Sequence, residues 1–192
     1  MYICSSMTTK SKIIQIGDAL IREKGYNGFS FSDISKQLNI RNASVHYHFP
    51  TKTDLGVAIV QKHITGLEHL IGLNAGKDPL QKLHAFLSIY ENIKSEDKIC
   101  LVGTLATDLC TVDSEVRLAL KILVDRILQW VIQFLEEGKA IGQFHFNTST
   151  KTKALMITTN MLASLQITRI TGYEDFLAIK QAIINDLTLQ PL

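Results

Sequence analysis

Ten side chains between residues 30 and 52 carry the most suggestive chemistry in this chain. Ser30, Ser32, Lys36, Arg41, Asn42, Ser44, His46, Tyr47, His48 and Lys52 bring hydroxyls, an amide, imidazoles and cations into one short run with almost no acid. An arginine can reach a guanine edge with two bonds, and an asparagine can do the same for adenine. Ser30, Ser32, Lys36, Tyr47, His48 and Lys52 are of the types that hold phosphate oxygens and fix register. His46 and His48 do not suggest a shared metal, because a spacing of two on a helix puts the rings on different faces. No phosphate-binding loop, metal-ligand spacing or nucleophile with a placeable base occurs elsewhere, so no cofactor is expected and no enzyme is indicated.

The elements that would position these groups can be read from their punctuation. A first helix is predicted from Thr9 to Lys24, with Ile13, Ile16, Leu20 and Ile21 as its stripe and Gly25 as its stop. Ser30 caps a second, short helix, with Asp33 as capping-box partner and Ile34 and Leu38 inward. Asn39 takes the turn and Ile40 plugs it. A third helix runs Ala43 to Phe49 and ends at Pro50. This is a helix-turn-helix pattern whose second helix would lie in a DNA groove. Any helical hairpin has a polar face, so composition alone leaves a plain packing role for His46 and Tyr47 open.

Downstream, Thr51 and Asp54 open a fourth helix that reaches about Leu73, and Asp78-Pro79 caps one that ends near Lys94. A short apolar helix from about Cys100 to Leu109 follows, then a long one from Asp113 to about Glu137, broken by Gly138 and Gly142. The last two run near Ser149–Thr171 and Tyr173–Leu187, with Gly172 between them. The fold class is therefore all-α, with about nine helices and two domains: a DNA-binding head over 7–54 and a ligand-binding and dimerisation body over 55–192.

The chain is 46% hydrophobic over 192 residues, enough to bury a good core. Its net charge of +2 does not by itself announce a nucleic-acid partner, but residues 1–56 carry +3 and the rest −1. Three cysteines do not make a disulfide framework. No signal peptide and no membrane span is read, Cys4 follows too little sequence for a lipoprotein signal, and Met7 is an alternative start. A cytoplasmic protein with no membrane partner is expected.

The stretches Phe31–Ile40 and Ala43–Leu55, with Gly25-Tyr26 ahead of them and a hydroxyl at Ser30, resemble the N-terminal domain of the TetR family of transcriptional regulators. The resemblance implies a homodimer that binds a roughly palindromic double-stranded operator. It also implies a four-helix dimer interface near the C-terminus and a small-molecule inducer that releases DNA. A repressor is the expected form. Two positions depart from the family pattern: Arg41 stands where a small hydroxyl is usual, so either Asn42 caps the reading helix or Arg41 reads DNA, and His46 stands where tyrosine is common.

In the body, Cys100–Leu109, Glu115-Val116-Arg117, Trp130 and Gly138 resemble the branch containing the N-ethylmaleimide-responsive repressor, whose reactive cysteine would correspond to Cys100. A position before a helix, with Lys98 nearby, would lower that thiol's pKa, although a free cysteine is commonly just a small buried residue. A bridge from Cys100 to Cys110 along one helix would have to span about 15 Å, beyond disulfide reach. Phe86, Tyr90, Trp130, Phe134 and Met161 are the further candidates for a ligand site. Leu155, Thr158, Met161, Leu162 and Leu165 spread apolar surface around one helix, while Phe176, Ile179, Ile183 and Leu187 stripe the next. The interface is expected there. Two alternatives are a helical enzyme that uses Cys100 on electrophiles, and an interaction module without DNA binding.

Overall fold

The computed structural model describes residues 7–96 and 98–189; Cys4 lies outside them. Among the described residues there are nine helices and no strand: α1 (Thr9–Lys24), α2 (Phe31–Leu38), α3 (Asn42–His48), α4 (Lys52–Asn74), α5 (Pro79–Ser95), α6 (Leu101–Thr107), α7 (Ser114–Ala140), α8 (Thr150–Thr171) and α9 (Tyr173–Thr188). None of these is long and apolar enough to cross a membrane. Packing divides the described chain into two compact units. The first holds residues 7–64 and 101–123, and the second the remainder. Helix α6 and the start of α7 therefore pack with the head, although they lie far from it in sequence.

In the first unit, Thr8 caps α1 and Gly25 ends it at a φ of 80° that side chains avoid. Ile13, Leu20 and Ile21 are buried along its length. Gly17 lets α4 come close, since a Cβ there would sit 3.0 Å from Ile59 and 3.2 Å from Leu55. Asp33 closes the α2 cap, accepting the Ser30 N–H and hydroxyl at 2.7 Å each. Asn39 takes the left-handed turn. Ile34 is fully buried, whereas Leu38 and Ile40 are only half-buried at the edge of the core.

A polar seam joins α1 to α4 inside this unit. Asp18 accepts a bond from Arg22 Nε at 3.0 Å and lies 3.0 Å from His63 Nε2, with Lys62 at 3.9 Å. Burial pushes the Asp18 carboxyl up, but the His63 bond and the charges of His63, Arg22 and Lys62 outweigh it, and the net direction is down. A carboxyl depressed in the folded state stabilises the fold above its unfolded pKa and stops doing so as pH falls through its folded one. Asp18→Asn is therefore expected to cost about 2 kcal/mol at neutral pH, because Arg22 is left buried without its anion. Urea unfolding should show the gap to wild type closing as pH falls below about 4; a gap that does not depend on pH would refute the assignment.

The second unit is built around rings. Phe86 meets Tyr90, Trp130 and Phe134 at centroid distances of 5.4, 6.2 and 6.2 Å, and Trp130 stands edge-on to Phe134 at 5.8 Å. Ion pairs Lys82–Glu137, Lys153–Asp186 and Lys180–Glu91, each at 2.5 Å, tie its helices together.

Gly138 does not break α7, as its residue type had suggested, because the helix continues through it to Ala140. Its role is one of space: a Cβ there would lie 2.1 Å from the ring of Phe144, which is itself buried. An exposed helical glycine gains up to about 1 kcal/mol on mutation to alanine. Here Gly138→Ala is expected to lose about 1–3 kcal/mol, read as a lower thermal midpoint; a raised midpoint would sink the packing argument.

Candidate nucleic-acid interface

Helix α3 is anchored by its apolar residues and leaves its polar ones outside. Val45 is fully buried, and Phe49 follows as a buried C-cap whose N–H donates to the Val45 carbonyl at 2.9 Å. Residues two apart on a helix point in nearly opposite directions, so Tyr47 is carried out to 84% exposure. Arg41 takes the N-cap position in extended geometry without a side-chain capping bond, which leaves its guanidinium exposed beside Asn42. Asn42 is the first residue of the helix and does not cap it. Ser44 and His48 are half-buried, and His46 is exposed with its ring edge-on to Phe31 at 4.8 Å. The rings of Tyr47 and His48 meet at 5.2 Å.

Two grooves flank α3. One, of about 560 Å³, is lined by Ser30, Ser32, Asn42, His46, Thr51 and Lys52, with Phe29, Phe31 and Pro50 as its apolar wall. The other, of about 520 Å³, is lined by Thr9, Ile40, Arg41, Ala43, Ser44, Tyr47 and His48. Nine of the ten candidate side chains line these grooves, Ser30, Ser32, Asn42, His46 and Lys52 in the first and Arg41, Ser44, Tyr47 and His48 in the second; Lys36 stands exposed on α2 outside both. Thr9 and Thr51 were missed in the sequence. Both carry the hydroxyl that marks a helix start, but their nearness to α3 is a tertiary fact.

Lys52 differs most from its expected role. Its ammonium donates to the Phe29 carbonyl at 2.6 Å and lies over the Phe29 and Tyr26 rings, at 4.2 and 5.1 Å from their centroids. Burial lowers its pKa, against the opposing charges of Asp33 and Asp108. The helix N-terminus at which it sits had suggested a phosphate grip; the aromatic walls and an open carbonyl give the cation a nearer partner.

The candidate sensor and interface residues lie elsewhere. Phe86, Tyr90, Trp130, Phe134 and Met161 are all buried in the second unit. Cys100 is buried just before α6, and Cys110 is exposed in the turn after it; both are free thiols. Lys98 is paired with Glu96 at 2.6 Å. Burial drives the Tyr90 hydroxyl far up, with a smaller push from Cys100. On α8 and α9, Leu155 is exposed and Thr158, Leu162 and Ile179 are half-buried. Leu165, Phe176, Ile183 and Leu187 face the chain's own core. Periodicity put these four on an interface stripe, but the stripe is the one that packs α9 against α8.

A short anchored helix, polar on its free face and preceded by a capped helix and a left-handed turn, defines a helix-turn-helix module in an all-helical chain. Residues 13–59 match the model for bacterial regulatory proteins of the tetR family. A crystal structure of a TetR transcriptional regulator from Legionella pneumophila is 30% identical, with a TM-score of 0.86 over 96% of this chain and 100% of that one. The chain belongs to the TetR family. Over 80 residues, 41% of the chain, it is 36% identical to IcaR of Staphylococcus aureus, a negative transcriptional regulator of the biofilm operon icaADBC. The chain matches less than two thirds of the length of such curated relatives, 43% in this case. Escherichia coli NemR in its reduced form superposes with a TM-score of 0.79 over 94% of this chain and 98% of that one at 17% identity, which shows the fold alone.

The two kinds of cation in the head should separate on mutation. Lys52→Ala is expected to lower the unfolding free energy by about 1–2 kcal/mol, and Arg41→Ala to change it by less than about 0.5 kcal/mol. Urea titration of the two variants measures this, and equal losses would contradict the assignment.

Proposed function

We propose that the chain is a homodimeric, operator-binding repressor whose head, residues 7–54, reads double-stranded DNA and whose remainder, 55–192, dimerises and binds an inducer. The exposed face of α3 carries this reading: Arg41 and Asn42 are exposed toward base edges, with His46 exposed beside them although its Nδ1 lies 3.3 Å from the Pro50 carbonyl, while Tyr47 and the hydroxyls of the two grooves suit the phosphates on either side. A negative regulator among its relatives favours repression.

Dimerisation is supported by the outer face of α8, where Leu155, Met156, Ile167 and Ile170 are 41–88% exposed beside a groove of about 460 Å³ shared with Ile179. Leu155, Thr158, Leu162 and Ile179 are the earlier candidates that reach this surface. A twofold pair presents two copies of α3, so inverted half-sites about one helical turn apart are expected. The inducer site is assigned to the ring cluster of Phe86, Tyr90, Trp130 and Phe134 with Met161. Cys100, buried just before α6 in the same unit, is the thiol that an electrophile entering there would meet.

Selection of duplexes from a random pool tests the DNA reading. The chain is expected to enrich an inverted repeat. Arg41→Ala is expected to cost about 1–3 kcal/mol and relax one position, and Tyr47→Ala to weaken all sequences alike. A chain that enriches no sequence, or a triple Arg41, Ser44, His46 alanine variant that binds like wild type, would refute it. Ile167→Glu should yield a monomer by sedimentation. Maleimide should release DNA from wild type and not from Cys100→Ala, and equal release from both would remove the thiol.

A further inference from the structure

The loop that carries the chain from α1 into α2 is held by a turn far away in sequence. Asp108, just past the end of α6, accepts the Tyr26 N–H at 2.7 Å through Oδ2. The same oxygen lies 3.0 Å from where a Cβ on Gly25 would stand, at a φ of 80°. Asn27 donates to Thr111 at 2.6 Å, and Thr111 in turn donates to the Asp108 carbonyl at 2.9 Å. Thr53, in the first turn of α4, donates to Asp113. Gly56 completes the close approach, since a Cβ there would come within 2.9 Å of Val116 and 3.1 Å of the Tyr26 ring. All of these residues belong to the first unit.

Three bonds thus run from residues 108–113 to the loop at 26–27 and to the start of α4. They bracket the two helices that form the reading module. The Asp108 and Asp113 bonds both have a carboxylate acceptor, the stronger class, and of the three only the Asp108 bond holds the backbone. It fixes the peptide that sets where Phe29 and the Ser30 cap begin α2. Lys52 grips the Phe29 carbonyl at the other end of the same loop.

We infer that Asp108 is a positioning residue for operator recognition: through the Tyr26 amide it sets the placement of α2 and α3, without itself touching DNA. This rests on the DNA-binding reading above, so the test separates the two. Binding is measured with the full chain on duplexes selected by wild type and on an unrelated duplex at the same salt. Asp108→Ala is expected to lose about tenfold in affinity for the selected duplex and to stay within about twofold on the unrelated one, where phosphate contacts dominate. Asp108→Asn keeps an acceptor oxygen and should bind within about threefold of wild type. Amide hydrogen exchange should show the Tyr26 N–H slow in wild type and at least about tenfold faster in Asp108→Ala.

Three results would overturn the inference: unchanged selected-duplex affinity in Asp108→Ala, equal loss on both duplexes, or equal exchange at Tyr26. If Asp108→Ala does not fold, Thr111→Val, which removes the acceptor of Asn27, carries the comparison. A loss of about threefold or more on the selected duplex alone is then expected, and no loss overturns it. A wild-type chain that enriches no sequence defeats the operator reading instead, and the Tyr26 exchange still decides the contact.

Discussion

A seven-residue helix has no stability of its own in water, because its nucleation cost exceeds what so few backbone bonds return. Helix α3 exists because Val45 and Phe49, four residues apart, are buried in the core of the first unit. The same spacing carries Tyr47 to the opposite side from both anchors, and Asn42 and His46 are exposed at its flanks. Its start depends on Asn39, whose left-handed turn redirects the chain after α2, and its end on Pro50, which cannot continue a helix. The polar face proposed to meet DNA is thus the complement of a two-residue apolar anchor.

The charges of the head divide in the same way. Arg22 is taken up by Asp18 inside the seam, and Lys52 by a carbonyl and two rings. What remains exposed in the head is Lys12, Lys24, Lys36 and Arg41, with Lys10 near the Phe49 ring at 5.6 Å. The basic excess of the first 56 residues therefore overstates the cations available to phosphates. Hydroxyls at Thr9, Ser30, Ser44 and Thr51 supply a larger share of the groove linings than the charge balance suggests.

Local signals made much of this legible in the sequence. Ser30 with Asp33, Thr51 with Asp54 and Asp78 before Pro79 each placed a helix start, because a capping residue acts on backbone groups within three positions. Signals that depend on a distant partner were misread or missed. Gly138 resembled a helix stop, since nothing local reveals that the Phe144 ring takes the space of its absent Cβ. Lys52 resembled an anion site until the Phe29 carbonyl and its flanking rings were placed. Asp108 sat inside a stretch noted as a short apolar helix and for its resemblance, and neither its bond to Tyr26 nor the packing of 101–123 with the head has any trace in local pattern.

Helix α8 shows the limit of periodicity itself. Apolar residues occur on both of its faces, with Ile157, Met161 and Leu165 inward and Leu155, Met156, Ile167 and Ile170 outward. A pattern of this kind says that two faces need cover, but not which is covered by the chain's own next helix. The buried face also contains Ser164 and Thr168, which pure hydropathy would place outside. Each hydroxyl instead donates to a carbonyl one turn back, to Met161 and Ser164 at 2.7 Å, so burial leaves neither unsatisfied. Self-satisfied hydroxyls inside and apolar groups outside invert the usual arrangement, and that inversion is the ground on which the outer face of α8 is proposed to meet a partner.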